Sequence, residues 1–105
     1  MIEKLINDEL QSANKKFPLF SSWHEAYAVI LEEVEEANDE ADVMCNLYLD
    51  RLWHDIKAKA SSEADRFEDI GILRGHAVRA IEELIQVAAM CDKAVISLAG
   101  EETKE

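Results

Sequence analysis

Four side chains in this 105-residue chain have the type and spacing to hold a hard metal ion: Glu33 with Glu36, and Glu83 with Gln86. Residues three apart lie on one face of a helix. Two such faces, on neighbouring helices, would place four oxygen donors around one point. Hard cations such as Mg²⁺, with Mn²⁺ as the alternative, take oxygen ligands. Both pairs interrupt apolar surface. At about 100° per residue, Trp23, Tyr27, Ile30, Val34, Ala37 and Ala41 form one apolar stripe, continued by Cys45 and Tyr48. Glu32, Glu35, Asp39 and Asp42 lie away from it. Glu33, Glu36 and Glu40 instead share a strip with Val29, Val43 and Leu47. A carboxylate among buried neighbours is costly unless paired or metal-bound. The alternative is that this strip is a helix edge whose glutamates reach water, as charge runs usually do.

These residues must be positioned by helices. The composition is 49% hydrophobic and 32% charged, with only 3 Gly and 1 Pro. Such a chain reads as one globular, all-α domain, rich in good helix formers. A first amphipathic helix is expected from Ile2 to about Lys16, carried by Ile2, Leu5, Ile6 and Leu10. Phe17-Pro18-Leu19-Phe20 ends it, because the residue before proline is pushed out of the helical region. The two phenylalanines are expected to plug the end of a bundle. Ser22 and Glu25 have capping-box spacing, with Ser21 as the alternative cap. The helical pattern then runs from about 22 to 59, with a kink expected near Asn46. Ser61-Ser62-Glu63-Ala64-Asp65 predicts a turn and a second cap. Residues 65–75 carry Gly71 and Gly75, and a bend is expected there. A last helix is predicted from about 76 to 99. It is so apolar through Leu84–Cys91 that it should lie inside a bundle. Gly100 is its expected C-cap, and residues 101–105 should fray. The expected architecture is a helical bundle around a long antiparallel helix hairpin, completed by oligomerisation as a homodimer or homotetramer.

The charge excludes some function classes. A formal net charge of −12 repels phosphate backbones, so duplex nucleic acid is not an expected partner. A divalent cation can still bridge acidic side chains to a small phosphorylated ligand. No apolar run reaches the roughly 18 residues a membrane helix needs, and no signal peptide is visible. The 2 cysteines, Cys45 and Cys91, lack CxxC spacing. They read as reduced, packed thiols of a cytoplasmic protein.

Other candidates are weaker. Lys93 lies seven residues after Gln86 on the same face and could meet a phosphate, or be a surface group. Arg79, one turn before Glu83, could contact phosphate or pair with an acid. Trp23 and Trp53 at helical spacing read as core or interface rather than as base-stacking platforms. His24, His54 and His76 form no Glu-x-x-His motif, which argues against a di-iron carboxylate bundle. There is no nucleophile triad and no Gly-rich phosphate loop.

Glu32-Glu33-Val34-Glu35-Glu36 resembles the EExxE motif of the all-α MazG-like nucleotide pyrophosphohydrolases. Glu83-Leu84-Ile85-Gln86-Val87 falls where that family has ExxD. Phe17-Pro18-Leu19-Phe20, Trp23 to Val29, and Gln86 to Met90 are similar to short single-domain members of phages and prophages. The likeness covers roughly residues 15 to 95. It implies cleavage of a nucleoside triphosphate between its α- and β-phosphates, giving a monophosphate and pyrophosphate. It implies that Glu33 and Glu36 bind Mg²⁺ from one helix and Glu83 from another. Glu32 would position or activate a water, and a dimer or dimer of dimers is implied. Gln86 departs from the pattern: a glutamine carbonyl can ligate Mg²⁺ but brings no negative charge. That departure favours an alternative, a degenerate member that binds nucleotide or a protein partner without turnover. A plain acidic structural bundle is the third reading.

Overall fold

In the computed structural model residues 1–99 are described, and among them there is no strand. Helix α1 is Ile2–Lys16. A second helical rod comprises α2, Trp23–Val43, one π-helical turn, Met44–Tyr48, and α3, Leu49–Lys57. The third is α4, Glu63–Leu98. The expected C-cap Gly100 and tail 101–105 lie outside the described residues.

Local chemistry accounts for the boundaries. Phe17 is extended at φ −134° and ψ 147°, as a residue before proline must be, and its amide still bonds the Ala13 carbonyl. Ser22 caps α2, accepting from the Glu25 amide at 3.1 Å. The Glu25 carboxylate does not complete the box; it accepts from the Ser21 hydroxyl at 3.0 Å. At α4 the box is complete. Asp65 N–H donates to Ser62 Oγ at 3.1 Å, and Ser62 N–H donates to the Asp65 carboxylate at 2.9 Å. The turn before it is closed by the Ser61 hydroxyl, which donates to the carbonyls of Asp55 and Ala58.

Where the sequence predicts a kink near Asn46, the helix changes hydrogen-bond pattern. The Leu49 amide reaches back five residues to the Met44 carbonyl. The predicted bend at Gly71 and Gly75 does not divide α4, which runs unbroken through both and begins thirteen residues before the expected start. Strong capping at Ser62 outweighs a cost of about 1 kcal/mol for each glycine.

Contacts divide the chain into two compact units, each traversed by parts of α2 and α4. The first holds residues 1–35 and those from Glu83 onward. Its core is Leu10, Phe20, Ala26, Ala89, Met90, Ala94 and Leu98, flanked by Ile6, Ala13, Val29 and Ile30. Phe20 is the plug expected of the Phe-Pro segment, whereas Phe17 is 64% exposed. The second unit is Glu36–Glu82. There His76 Nδ1 lies 2.7 Å from the Glu40 carboxylate, and its ring stacks on Tyr48 of the π turn at 4.9 Å. The Arg51 guanidinium lies over the Tyr48 ring, 5.5 Å from its centroid.

Most of the stripe expected from apolar periodicity is covered: Ala37 is buried, and Ile30, Val34, Ala41 and Tyr48 are half-buried. Trp23 and Tyr27 are exposed instead, and Ala26, Val29, Glu33 and Glu40 also turn inward. The inward face is thus shifted toward the strip that carries the glutamates, because small Ala26 permits close packing where indole and phenol rings would not. Cys45 and Cys91 are likewise exposed rather than packed.

Asp69 is a buried acid, 5% exposed, beside Asp55. A hydrogen bond with Asp55, then burial, then repulsion from Asp55 hold its pKa above the ordinary carboxylate value, against the pull of Arg51. A raised folded-state pKa contributes stability that is full below the ordinary carboxylate range and is lost as pH rises through the raised value. Asp69→Asn should therefore raise the melting temperature at pH 7, with the gain shrinking toward pH 4 in thermal scans across that range. Asp65 has the opposite sign: its hydrogen bonds with Ser62 lower its pKa, so its contribution is lost as acid protonates it. Ser62→Ala removes the side-chain half of this cap and should cost about 1 kcal/mol in urea unfolding.

Candidate metal centre and cleft

Glu33 stands on α2 and Glu83 on α4, both half-buried. Glu36 follows Glu33 by one turn of the same helix, so α2 itself sets its place, and it is exposed. Each offers a carboxylate oxygen, and the three oxygens lie within 4.8 Å of one another. These are three of the four donors that the sequence singles out. The fourth, Gln86, is half-buried one turn beyond Glu83 on α4.

Gln86 and Glu33 also line a cleft of about 540 Å³ in the first unit. Its walls are α1 at Glu9 and Lys16, the Phe17–Phe20 segment, α2 at Glu32 and Glu33, and α4 at Gln86 and Lys93. Glu32, the residue given the water-activating role, is on this wall and exposed. The cleft exists because α1 docks on the other two helices through Leu10 and Ala13. Phe20 fixes the connecting segment: its amide donates to the Ser97 hydroxyl at 3.0 Å, and its ring packs in the core.

Lys93 is the least expected feature. Its side chain is not at the surface: the residue is 2% exposed, and its ammonium lies 4.9 Å from the centroid of the Phe20 ring. A desolvated cation over an aromatic face gains about 2 kcal/mol, which offsets part of its burial cost. Arg79, by contrast, is exposed and does not line the cleft. The sequence did not reveal that α1 would build a cleft wall. The one legible signal was that Lys16 and Glu9 fall on the side of α1 adjoining Ala13.

The arrangement can do two things chemically. Three converging carboxylates are a donor set for a hard divalent cation. Lys93, buried on the same cleft wall as Gln86, offers an ammonium to an anion that reaches into the cleft. No protein-family model, no curated protein and no solved structure matches the chain.

The approach of α2 to α4 in this unit depends on small side chains at Ala26 and Ala89, 1% and 0% exposed. Ala89→Leu should cost about 1–3 kcal/mol through overpacking. It should also separate Glu33 from Glu83, so that divalent-ion binding by calorimetry weakens more than the folded fraction falls.

Proposed function

We propose that this protein is a Mg²⁺-dependent nucleoside triphosphate pyrophosphohydrolase of the MazG-like kind, converting a (d)NTP to the monophosphate and pyrophosphate. The observation that carries the reading is the convergence of Glu33, Glu36 and Glu83, oxygens within 4.8 Å, beside a cleft containing buried Lys93. Oxygens about 2.1 Å from an octahedral Mg²⁺ are at most about 4.2 Å apart, so small side-chain rotations would close the trio on the ion. Mn²⁺ fits the same donors. A bound ion supplies charge neutralisation on the phosphates and a polarised water.

The chain's own residues take the remaining roles. Glu33, Glu36 and Glu83 hold the cation, and Gln86 offers a neutral carbonyl oxygen. Glu32 accepts a proton from the attacking water. Lys93 donates to a phosphate oxygen from the cleft floor, while Arg79 stands outside the cleft. Glutamine in place of aspartate favours the second reading, a degenerate protein that binds nucleotide without turnover.

The architecture inferred for this activity is a long antiparallel hairpin of the α2–α3 rod with α4. Glu33 meets Glu83, Glu40 meets His76 and Asp55 meets Asp69, so residue numbers rise on one rod as they fall on the other. Self-association as a homodimer or homotetramer is supported by exposed Ile81, Leu84, Val95 and Ile96 on α4, each more than half exposed. Free cysteines fit a reducing cytoplasmic setting. No described helix is long and apolar enough to cross a membrane.

Incubation with each dNTP and millimolar Mg²⁺ should release pyrophosphate. Glu33→Gln with Glu36→Gln should abolish it, and Gln86→Asp should raise it. Magnesium at 100 times its dissociation constant should stabilise the wild type by about 2.7 kcal/mol, read as a shift in melting temperature. Binding of nucleotide without pyrophosphate, unchanged by Gln86→Asp, would establish the degenerate reading instead. If neither metal nor nucleotide binds and the double Gln variant is more stable, the acidic bundle is structural only.

A further inference from the structure

Helix α4 carries a second pattern, unrelated to the carboxylates. Starting at Phe67 and stepping alternately four and three residues, ten positions are reached, ending at Ala99, whose amide continues the ladder by bonding the Val95 carbonyl. Alternating steps of four and three define one seam along a helix, the spacing of coiled-coil core positions. Eight of the ten are exposed, and the other two, Ile85 and Ala88, are half-buried. A core-type seam is thus left on the outside of the chain. Glu83 lies on the opposite side of the helix, so the seam does not compete with the carboxylate trio.

Two charges interrupt the seam, Arg74 and Asp92, both exposed. Neither joins an ion pair among the described residues. They have opposite sign and stand equally far from residue 83, nine positions before and nine after. That symmetry identifies what covers the seam. If α4 packs against itself in the antiparallel sense about a two-fold axis at residue 83, Arg74 meets the partner's Asp92, twice over. The same register satisfies every other layer. Ile81 meets the partner's Ile85 at the centre. Gly71, whose missing Cβ would touch nothing in its own chain, meets the partner's Val95. Phe67, 65% exposed, meets the partner's small Ala99. In each layer one residue follows a four-step and the other a three-step, as antiparallel core packing requires. A parallel, in-register pair would instead oppose Arg74 to Arg74 and Asp92 to Asp92.

We propose that the occupant of this seam is a second copy of the chain, docked antiparallel through α4 with Arg74 and Asp92 setting the register. A polar pair in an otherwise apolar seam specifies register at some cost in affinity. The inference rests on the self-association proposed above and is independent of the hydrolase reading. It also sets the two carboxylate trios on the outer sides of a shared helix pair.

The test uses the full chain and sedimentation equilibrium, with circular dichroism to check that each variant stays helical. Both charges are exposed on the single chain, so reversing them should leave it folded. Arg74→Glu alone and Asp92→Arg alone should each weaken dimerisation by about a hundredfold, because both charged layers become like-charged. Mixing the two single variants should restore a one-to-one dimer, since each heterodimer layer is again complementary. The double variant should dimerise like the wild type. A wild-type chain that stays monomeric at several hundred micromolar overturns self-association altogether. A wild-type dimer indifferent to both single reversals overturns this register while leaving self-association intact. Either outcome leaves magnesium binding and pyrophosphate release to be judged separately.

Discussion

Close packing of α2 on α4 through alanines is the constraint on which the candidate site depends. Ala26 and Ala89 are almost wholly excluded from solvent in one core with Phe20, Met90 and Leu98. A methyl group keeps two helix axes near one another; any larger side chain would wedge them apart. With that separation small, Glu33 and Glu83 cannot avoid each other. The carboxylate cluster is therefore a consequence of core packing about two turns away along each helix.

Acids turn inward in the second unit as well. Glu40 turns inward and meets His76, whose ring lies on Tyr48. Asp69 turns inward and meets another acid, Asp55, so that a hydrogen bond between them, and then burial, push its pKa up. A chain of net charge −12 that places carboxylates on inner helix faces carries electrostatic cost into its core. The neighbours of these acids differ from place to place: an imidazole hydrogen-bonded to Glu40, and the Arg51 guanidinium acting on Asp69. The Lys93 side chain is held by apolar neighbours and the Phe20 face, which keeps the charge pointed inward rather than free to reach solvent.

Much of the helical layout was legible from local signals. Pro18 dictated the extended Phe17, Ser62 with Asp65 dictated the start of α4, and Ser22 the start of α2. These are short-range effects of backbone sterics and capping, written within four residues of where they act. The inward face of α2 was legible only in part. Apolar periodicity found Ile30, Val34, Ala37 and Ala41, but it also favoured Trp23 and Tyr27, where small Ala26 turns inward instead. Gly71 and Gly75 likewise implied a bend that α4 does not need, because neighbouring turns and a complete cap carry the helix through them.

Helix content, the boundaries near Phe17 and Ser62, and the candidate donors Glu33, Glu36, Glu83 and Gln86 were determined by the amino-acid sequence alone, since each depends on residues adjacent along the chain. Tertiary structure alone decided that the three carboxylates among those donors converge, that Lys93 is buried over Phe20, and that α1 closes a cleft beside them. The physical reason is that such features depend on distances between segments dozens of residues apart. Those distances are set by side-chain volumes packed between helices, which no local spacing encodes.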